Sequence, residues 1–140
     1  MKKITAIAAI LLASLATAGI ARAQDHAAKA NVPFGFYVEG KWIPAGTYSL
    51  TSDSRSPDII AIRNVDKGVT LLSVGHSQDA QVGSNTLVFD KIGEKYFLHE
   101  VRCPACRMNV GFAESKREKA ERARETASNE PVSTVYLALK

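Results

Sequence analysis

The sequence predicts a mainly β protein, a single antiparallel β-sandwich or open barrel of about seven strands, with one surface α-helix near the C-terminus. Short segments of alternating apolar and polar residues recur along the chain, and glycine, proline, asparagine and aspartate residues separate them. Among residues 24–140, only the segment 116–127 is rich in strong helix formers. Many short strands joined by turns are typical of sandwiches and barrels.

The first 23 residues have the pattern of an export signal. Lys2 and Lys3 precede an uncharged run over residues 4–20, and Ala21-Arg22-Ala23 provides the small residues that a signal peptidase requires. The run is short for a membrane span, and no cysteine follows the cleavage site to carry a lipid. We therefore expect residues 1–23 to be a cleaved signal peptide. The mature protein is expected to be soluble, periplasmic or extracellular, and without a membrane anchor.

Removal of this signal changes the charge of the protein. The full chain carries 18 basic and 14 acidic residues, which gives a net charge of +4. Three of the basic residues lie in the signal, so 15 remain against 14 acidic ones, a net charge of +1. Without an excess of Lys and Arg to neutralise phosphates, the composition does not favour nucleic-acid binding. The remaining 117 residues suffice for one domain, expected at 31–140 after a disordered segment at 24–30.

Strands are predicted in order along this domain. Every second residue of the segment 31–38 is apolar from Val32 onward, so these side chains are expected on one face. Turns are predicted at 39–41 and 43–46, where glycine and proline fit the special positions of β-turns. Further strands are predicted at 47–51, 59–63, 69–76, 86–90 and 96–103, the last two as a hairpin.

The last part of the domain is predicted to form a helix and then a strand. Ser115 and Glu118 have the spacing of a capping box, which starts a helix over about 115–127. Three alanines at helical spacing give this helix a thin apolar stripe. Its mixed charges favour a solvated face, or alternatively a docking face for a charged partner. Residues 132–139 are β-rich and are predicted to form the final strand.

Parts of this domain resemble a family of small exported β-rich bacterial proteins that is common in acidobacterial genomes. The matching strings are VPFGFYVEGKWIPAGTYSL, LVFDKIGEKYFLHEV and the Ser115-Lys116 start of the charged helix. They follow the pattern VPF-x-F-x-V, PAG-x-Y and LVF-x-x-x-G-x-x-YFL, and the resemblance covers roughly residues 31–139. It implies a secreted β-rich domain with no assigned activity.

Cys103-Pro104-Ala105-Cys106 is the one local motif with chemical potential, and three interpretations compete. In an oxidising compartment the two thiols are expected to form a structural disulfide, worth about 2 kcal/mol for so small a loop. The family that the chain resembles usually has a connection without cysteines here. The disulfide between Cys103 and Cys106 is therefore interpreted as a local elaboration and not as a shared functional centre.

The two other interpretations of this motif are redox activity and metal binding. A redox-active pair is favoured by the flanking arginines. In thioredoxin-like proteins, however, the CxxC motif lies at the N-terminus of a helix, whereas here residues 107–114 separate the cysteines from the predicted helix. A zinc ion needs about four convergent ligands, and the sequence has no second CxxC. His99 is expected on the same strand face as Cys103 but too far along the strand to share an ion with it. We expect no metal and no cofactor, and we keep the redox function as the alternative.

No pattern of catalytic residues is recognisable in the chain, since it lacks a phosphate-binding glycine loop, a GxSxG elbow and an HExxH motif. Tyr37, Trp42 and Tyr48 are candidates for an exposed aromatic patch that binds a ligand, although core packing is the commoner fate of such residues. We interpret the chain as a non-enzymatic binding or structural module of the cell envelope with an unknown partner. Strand addition at an exposed sheet edge is a further alternative.

Overall fold

The structure is a computed structural model that describes residues 26–79, 83 and 85–140. These residues form a mainly β fold with one helix near the C-terminus, as the sequence predicts. The strands are β1 (His26–Val32), β2 (Phe36–Val38), β3 (Lys41–Ile43), β4 (Gly46–Asp53), β5 (Ser56–Asn64), β6 (Thr70–Val74), β7 (His76–Ser77), β8 (Thr86–Ile92), β9 (Lys95–Cys103), β10 (Met108–Gly111) and β11 (Ser133–Ala138), and the helix is α1 (Lys116–Ala127).

The strands form two sheets that together make a half-barrel. The first sheet has the order β1-β4-β5-β6, and the second has the order β11-β8-β9-β10-β7. The β2–β3 hairpin joins the second sheet because β2 pairs in parallel with β9. On one side β6 continues through Gly75 into β7, so the chain passes from one sheet to the other. On the opposite side the backbones of Lys29 and Lys140 exchange two hydrogen bonds, which links the two sheets.

Gly75 is required where the chain changes sheets. A Cβ at this position would lie 2.3 Å from a methyl group of Val110 and 2.5 Å from the backbone oxygen of Gly111. Both distances are far below van der Waals contact, and a backbone oxygen has little freedom to move. Only glycine allows β6 and β10 to approach this closely.

The core fills the space between the two sheets, and aromatic rings form its centre. The alternation predicted for residues 31–38 is present, since Val32, Phe36 and Val38 are buried. The ring of Phe36 packs edge-on against Tyr48 and Phe89, with centroids 5.5 and 5.3 Å apart. Such edge-on aromatic pairs add to the stabilisation from apolar burial.

The N-terminal part of the domain differs from the prediction. A disordered segment at 24–30 is wrong for residues 26–30, which lie in β1 and pair with β4 from His26–Ser52 to Val32–Gly46. Ala28 and Ala30 are buried, because every second residue of β1 faces the core. The predicted signal peptide at 1–23 and residues 24 and 25 lie outside the described residues.

The helix begins where the capping box predicts, but its orientation is unexpected. The Ser115 hydroxyl accepts a hydrogen bond from the backbone N–H of Glu118 at 3.2 Å. The alanine stripe is exposed, whereas Glu118 is only 5% exposed and faces the sheet. Arg122 lies 2.9 Å from Asp90 of β8 and forms an ion pair with it. The helix therefore docks on the sheet through its charged face.

Candidate functional site

A groove opens on the surface between β3 and β6. Among the described strands, β3 pairs with β2 and β6 pairs with β5, and the two are not hydrogen-bonded to each other. The gap forms a cavity of about 240 Å³, which we call the Trp42 groove. Its floor is formed by four buried or partly buried side chains, those of Ile43, Tyr48, Ile62 and Leu71. Its rim includes the exposed side chains of Trp42 and Val69.

Trp42 is the single tryptophan of the chain and is 61% exposed. Its indole ring lies over the backbone of Gly35, where a Cβ would be 3.1 Å from two of the ring atoms. Gly35 thus provides the space for the ring beside the groove. A large aromatic ring at the edge of an apolar cavity is a common feature of ligand sites.

Tyr48 forms part of the floor of the groove. The side chain is only 2% exposed, and its hydroxyl donates a hydrogen bond to the carbonyl oxygen of Pro44. Burial raises the pKa of Tyr48 above its ordinary value, a hydrogen bond with the Asn64 side chain partly offsets this, and the negative charge of Asp66 raises it further. The hydroxyl therefore stays protonated and remains a donor at neutral pH.

The turn between β5 and β6 brings a lysine to the groove. The side-chain oxygen of Asn64 accepts hydrogen bonds from the backbone N–H groups of Asp66 and Lys67, at 3.0 and 2.8 Å. Asparagine favours this turn because its side chain can replace a backbone acceptor. The turn places Lys67 on the groove lining, to which Lys41 of β3 also belongs.

A side-chain hydrogen bond joins β6 to the β2–β3 turn. The hydroxyl of Ser73, which is fully buried, donates to a carboxylate oxygen of Glu39 at 2.7 Å. This contact crosses from one side of the gap to the other, beyond the apolar lining. It links β6 to the β2–β3 turn, although β3 and β6 do not pair through their backbones.

The three aromatic residues predicted as a binding patch do not share one exposed surface. Trp42 is exposed, but Tyr48 is buried beneath the groove. Tyr37 is half-buried, since its ring stacks on Phe97 at 5.2 Å and the guanidinium of Arg117 lies 5.1 Å from its centroid. Trp42 and Tyr48 therefore contribute to one site, and Tyr37 lies outside it.

Cys103 and Cys106 form a disulfide, with their Cα atoms 5.1 Å apart. The bridge spans a short 3-10 turn, Pro104–Cys106, which connects β9 to β10. Cys103 is fully buried and Cys106 is half-buried. A strand follows the second cysteine, so no helix N-terminus is positioned to stabilise a thiolate there.

His99 does not lie on the same strand face as Cys103, which corrects the expectation from the sequence. Val88 pairs with Glu100 and Phe89 pairs with Leu98, so His99 is an extra residue in a β-bulge of β9. The bulge shifts the alternation by one position. As a result His99 is exposed, while Cys103 is buried.

Sequence reasoning missed most of the groove. Ile62 and Leu71 have the pattern of ordinary core residues, and nothing in the sequence shows that β6, the strand of Leu71, borders a gap. One signal was present, because the segment 69–74 is uncharged and has apolar residues on both faces. Such a segment at a sheet edge is unusual, since edge strands normally carry charges or proline.

The other site types that the sequence raised receive no support from the structure. Among residues 26–79, 83 and 85–140, no group of three or more His, Cys, Asp and Glu side chains is arranged to hold a metal ion. In the same part of the chain no helix is long and apolar enough to cross a bilayer. No protein-family model, no curated protein and no solved structure matches the chain. The Trp42 groove is therefore the feature of the described residues on which a function can be proposed.

Proposed function

We propose that this chain is an exported, non-enzymatic binding protein of the cell envelope, and that the Trp42 groove is its ligand site. The observation that carries the proposal is an apolar cavity of about 240 Å³ with an exposed tryptophan at its rim. Typical ligand pockets have about 300–1,000 Å³ and are mostly apolar, so this groove suits a small ligand. A ligand that covers the Trp42 ring would gain from the burial of apolar surface on both sides.

Export is supported by the signal pattern at residues 1–23 and by the disulfide, since such bridges persist in oxidising compartments. The resemblance to small exported β-rich proteins agrees with this location. The proposal predicts that the protein recovered from the periplasm or the medium begins at Gln24. Recovery only from the cytoplasm, with residues 1–23 still attached, would contradict it.

Binding in the groove is tested by titrating the mature protein with 1-octanol, a neutral ligand with an apolar chain. Because Trp42 is the single tryptophan, its fluorescence reports on the groove directly. We expect a saturable shift of the emission to shorter wavelength as the alkyl chain replaces water at the ring. Calorimetry of the same mixtures checks the stoichiometry, which we expect to be one ligand per chain.

Two valines provide a matched pair of variants for this titration. Val69 lines the groove and is 65% exposed, whereas Val65 is 48% exposed and lies outside the lining. We expect Val69→Asn to weaken octanol binding at least about threefold, and Val65→Asn to leave it unchanged. The absence of a saturable response, or an equal effect of both substitutions, would overturn the proposal.

The alternative function is thiol–disulfide exchange, in which the Cys103–Cys106 bridge takes two electrons and two protons from a substrate dithiol. The buried position of Cys103 and the strand after Cys106 do not favour it. A redox titration against glutathione separates the two functions. A potential below about −300 mV supports a structural bridge, and a value between about −270 and −120 mV supports exchange.

A further inference from the structure

The polar groups on the floor of the Trp42 groove already have partners within the protein. The hydroxyl of Tyr48 donates to Pro44, and the side-chain oxygen of Asn64 accepts from Asp66 and Lys67. These contacts use the Tyr48 hydroxyl as a donor and the Asn64 oxygen as an acceptor, so a polar ligand group placed against them would lose its water with little gain. We therefore expect the part of the ligand that contacts the floor to be apolar.

The rim differs from the floor because two lysines lie there. Lys41 and Lys67 both line the groove and are exposed, and neither is in an ion pair with any described carboxylate. The lining contains no Asp or Glu. Two acidic side chains lie near in sequence, Glu39 before Lys41 and Asp66 before Lys67, and both are outside the lining. The carboxylate of Glu39 accepts a hydrogen bond from Ser73. The lining itself thus carries two positive charges and no negative one.

We propose that the Trp42 groove binds a small free amphiphile with an anionic head, such as an alkyl or aryl carboxylate. Its apolar body would occupy the floor, and its head would lie between Lys41 and Lys67. A cavity of about 150 Å³ holds one benzene molecule, so about 240 Å³ fits such a ring or a short alkyl chain with several further carbons. This inference rests on the proposed function, because it names the ligand class for the same groove.

The Ser73–Glu39 hydrogen bond and the size of the groove argue against an extended peptide or a membrane lipid as the occupant. The hydrogen bond between Ser73 and Glu39 crosses the gap, so a strand cannot run through it beside β6. A membrane lipid, with two long acyl chains, is also much larger than a cavity of about 240 Å³. A free carboxylate with a short apolar body is the ligand that fits both the volume and the charge of the lining.

The experiment compares three probes with the same chain length, which are octanoate, 1-octanol and octyltrimethylammonium, by Trp42 fluorescence and calorimetry at pH 7. Each lysine gains roughly the attraction of two unit charges near 4 Å in water. We therefore expect octanoate to bind about tenfold more tightly than octanol at low salt, and octyltrimethylammonium to bind more weakly than octanol. In 0.5 M salt the preference for octanoate shrinks, since exposed charges are screened.

Lysine variants identify the groups that cause the preference. We expect the double variant K41Q/K67Q to bind octanoate and octanol with equal affinity. The matched control is K116Q/K119Q, which removes two exposed lysines of α1 and should keep the tenfold preference. Removal of the negative charge by Asp66→Asn should leave octanol binding unchanged and tighten octanoate binding slightly.

The outcomes distinguish this inference from the proposed function. Equal binding of the three probes, or a preference that persists in K41Q/K67Q, overturns the anionic ligand while the groove remains a binding site. Failure of all three probes overturns both. Binding to vesicles of phosphatidylglycerol without binding to free octanoate also overturns the inference, because the ligand would then be a membrane surface.

Discussion

Substitution of Arg122 by methionine tests whether charge pairing docks the helix on the sheet. The guanidinium of Arg122 lies 2.9 Å from Asp90, 2.9 Å from Glu114 and 3.6 Å from Glu118. Methionine keeps an unbranched apolar side chain that can pack in the same place, so the change removes mainly the charge. Three carboxylates would then lie close together without the cation that balances them.

The expected loss of stability follows from how far these groups are buried. An exposed ion pair contributes about 0.2–1 kcal/mol, and the removal of one partner from a buried pair costs about 3–5 kcal/mol. Arg122 is 32% exposed, whereas the Asp90 and Glu118 side chains are 14% and 7% exposed. The site lies between the two limits, so we expect Arg122→Met to lower the free energy of unfolding by about 2 kcal/mol at pH 7.

This loss should depend on pH in a defined direction. Burial is the main cause that raises the pKa of Glu118, Glu114 raises it further, and Arg122 lowers it. Without Arg122 the folded-state pKa of Glu118 lies further above its unfolded value. Ionised Glu118 then costs stability at pH 7, and this cost disappears as the pH falls through the folded-state pKa. The difference between wild type and variant is therefore largest at pH 7 and shrinks toward pH 4.

Urea unfolding, followed by far-ultraviolet circular dichroism, measures both the loss of stability at pH 7 and its dependence on pH. With a slope of about 2 kcal/mol/M, the midpoint of Arg122→Met should fall by about 1 M urea at pH 7. Arg124→Met is the control, since Arg124 is 77% exposed and its one charge contact, with Glu121, is 3.9 Å long. A midpoint shift equal to that of the control, or a loss that stays constant down to pH 4, would show that the charge of Arg122 does not dock the helix on the sheet.

Three further substitutions or treatments have defined outcomes. Gly75→Ala places a Cβ 2.3 Å from a Val110 methyl group and should destabilise the protein by about 2 kcal/mol or more. The control is Gly83→Ala, which should not change the urea midpoint because no described atom lies within 4 Å of the new Cβ. Gly35→Ala should displace the Trp42 ring, and so shift its emission and weaken octanol binding while the far-ultraviolet spectrum stays the same. Reduction of the disulfide should cost about 2 kcal/mol and leave the sheets folded, and complete unfolding on reduction would show that the bridge is essential.

The fold class was predictable because it depends on local patterns that the chain displays directly. The alternation that starts at Val32, the hairpin turn around Gly93 and the capping box at Ser115 are all present in the structure. β1 was missed because alanine has a low β propensity, and its strand is stabilised by pairing with β4. Pairing with a distant strand is a tertiary effect that one segment does not reveal.

Two other differences between the prediction and the structure also arise from tertiary contacts. The bulge at His99 reverses which residues of β9 face the core, and a bulge has no signature in this segment of sequence. The charged side chains of the helix were expected to be solvated, but Arg122 and Glu121 form ion pairs with Asp90 and Lys95 of the sheet. The orientation of a weakly amphipathic helix depends on the charges opposite it, and these are known only from the fold.

The candidate site was predictable only through one residue. Trp42 was recognised as an aromatic candidate, whereas Tyr48 is buried and Tyr37 packs elsewhere. The groove exists because β3 and β6 both end their sheets at the same place without pairing. That arrangement follows from the sheet order, which a single sequence does not specify.

The position of bound 8-bromooctanoate in a crystal of the mature protein is the most direct test of the Trp42 groove as a binding site. Bromine is located independently by its anomalous scattering. We predict a bromine peak above the floor residues Ile62 and Leu71, with the carboxylate within about 4 Å of the ammonium group of Lys41 or Lys67. An empty groove with bromine bound elsewhere, or a carboxylate remote from both lysines, would contradict the proposal.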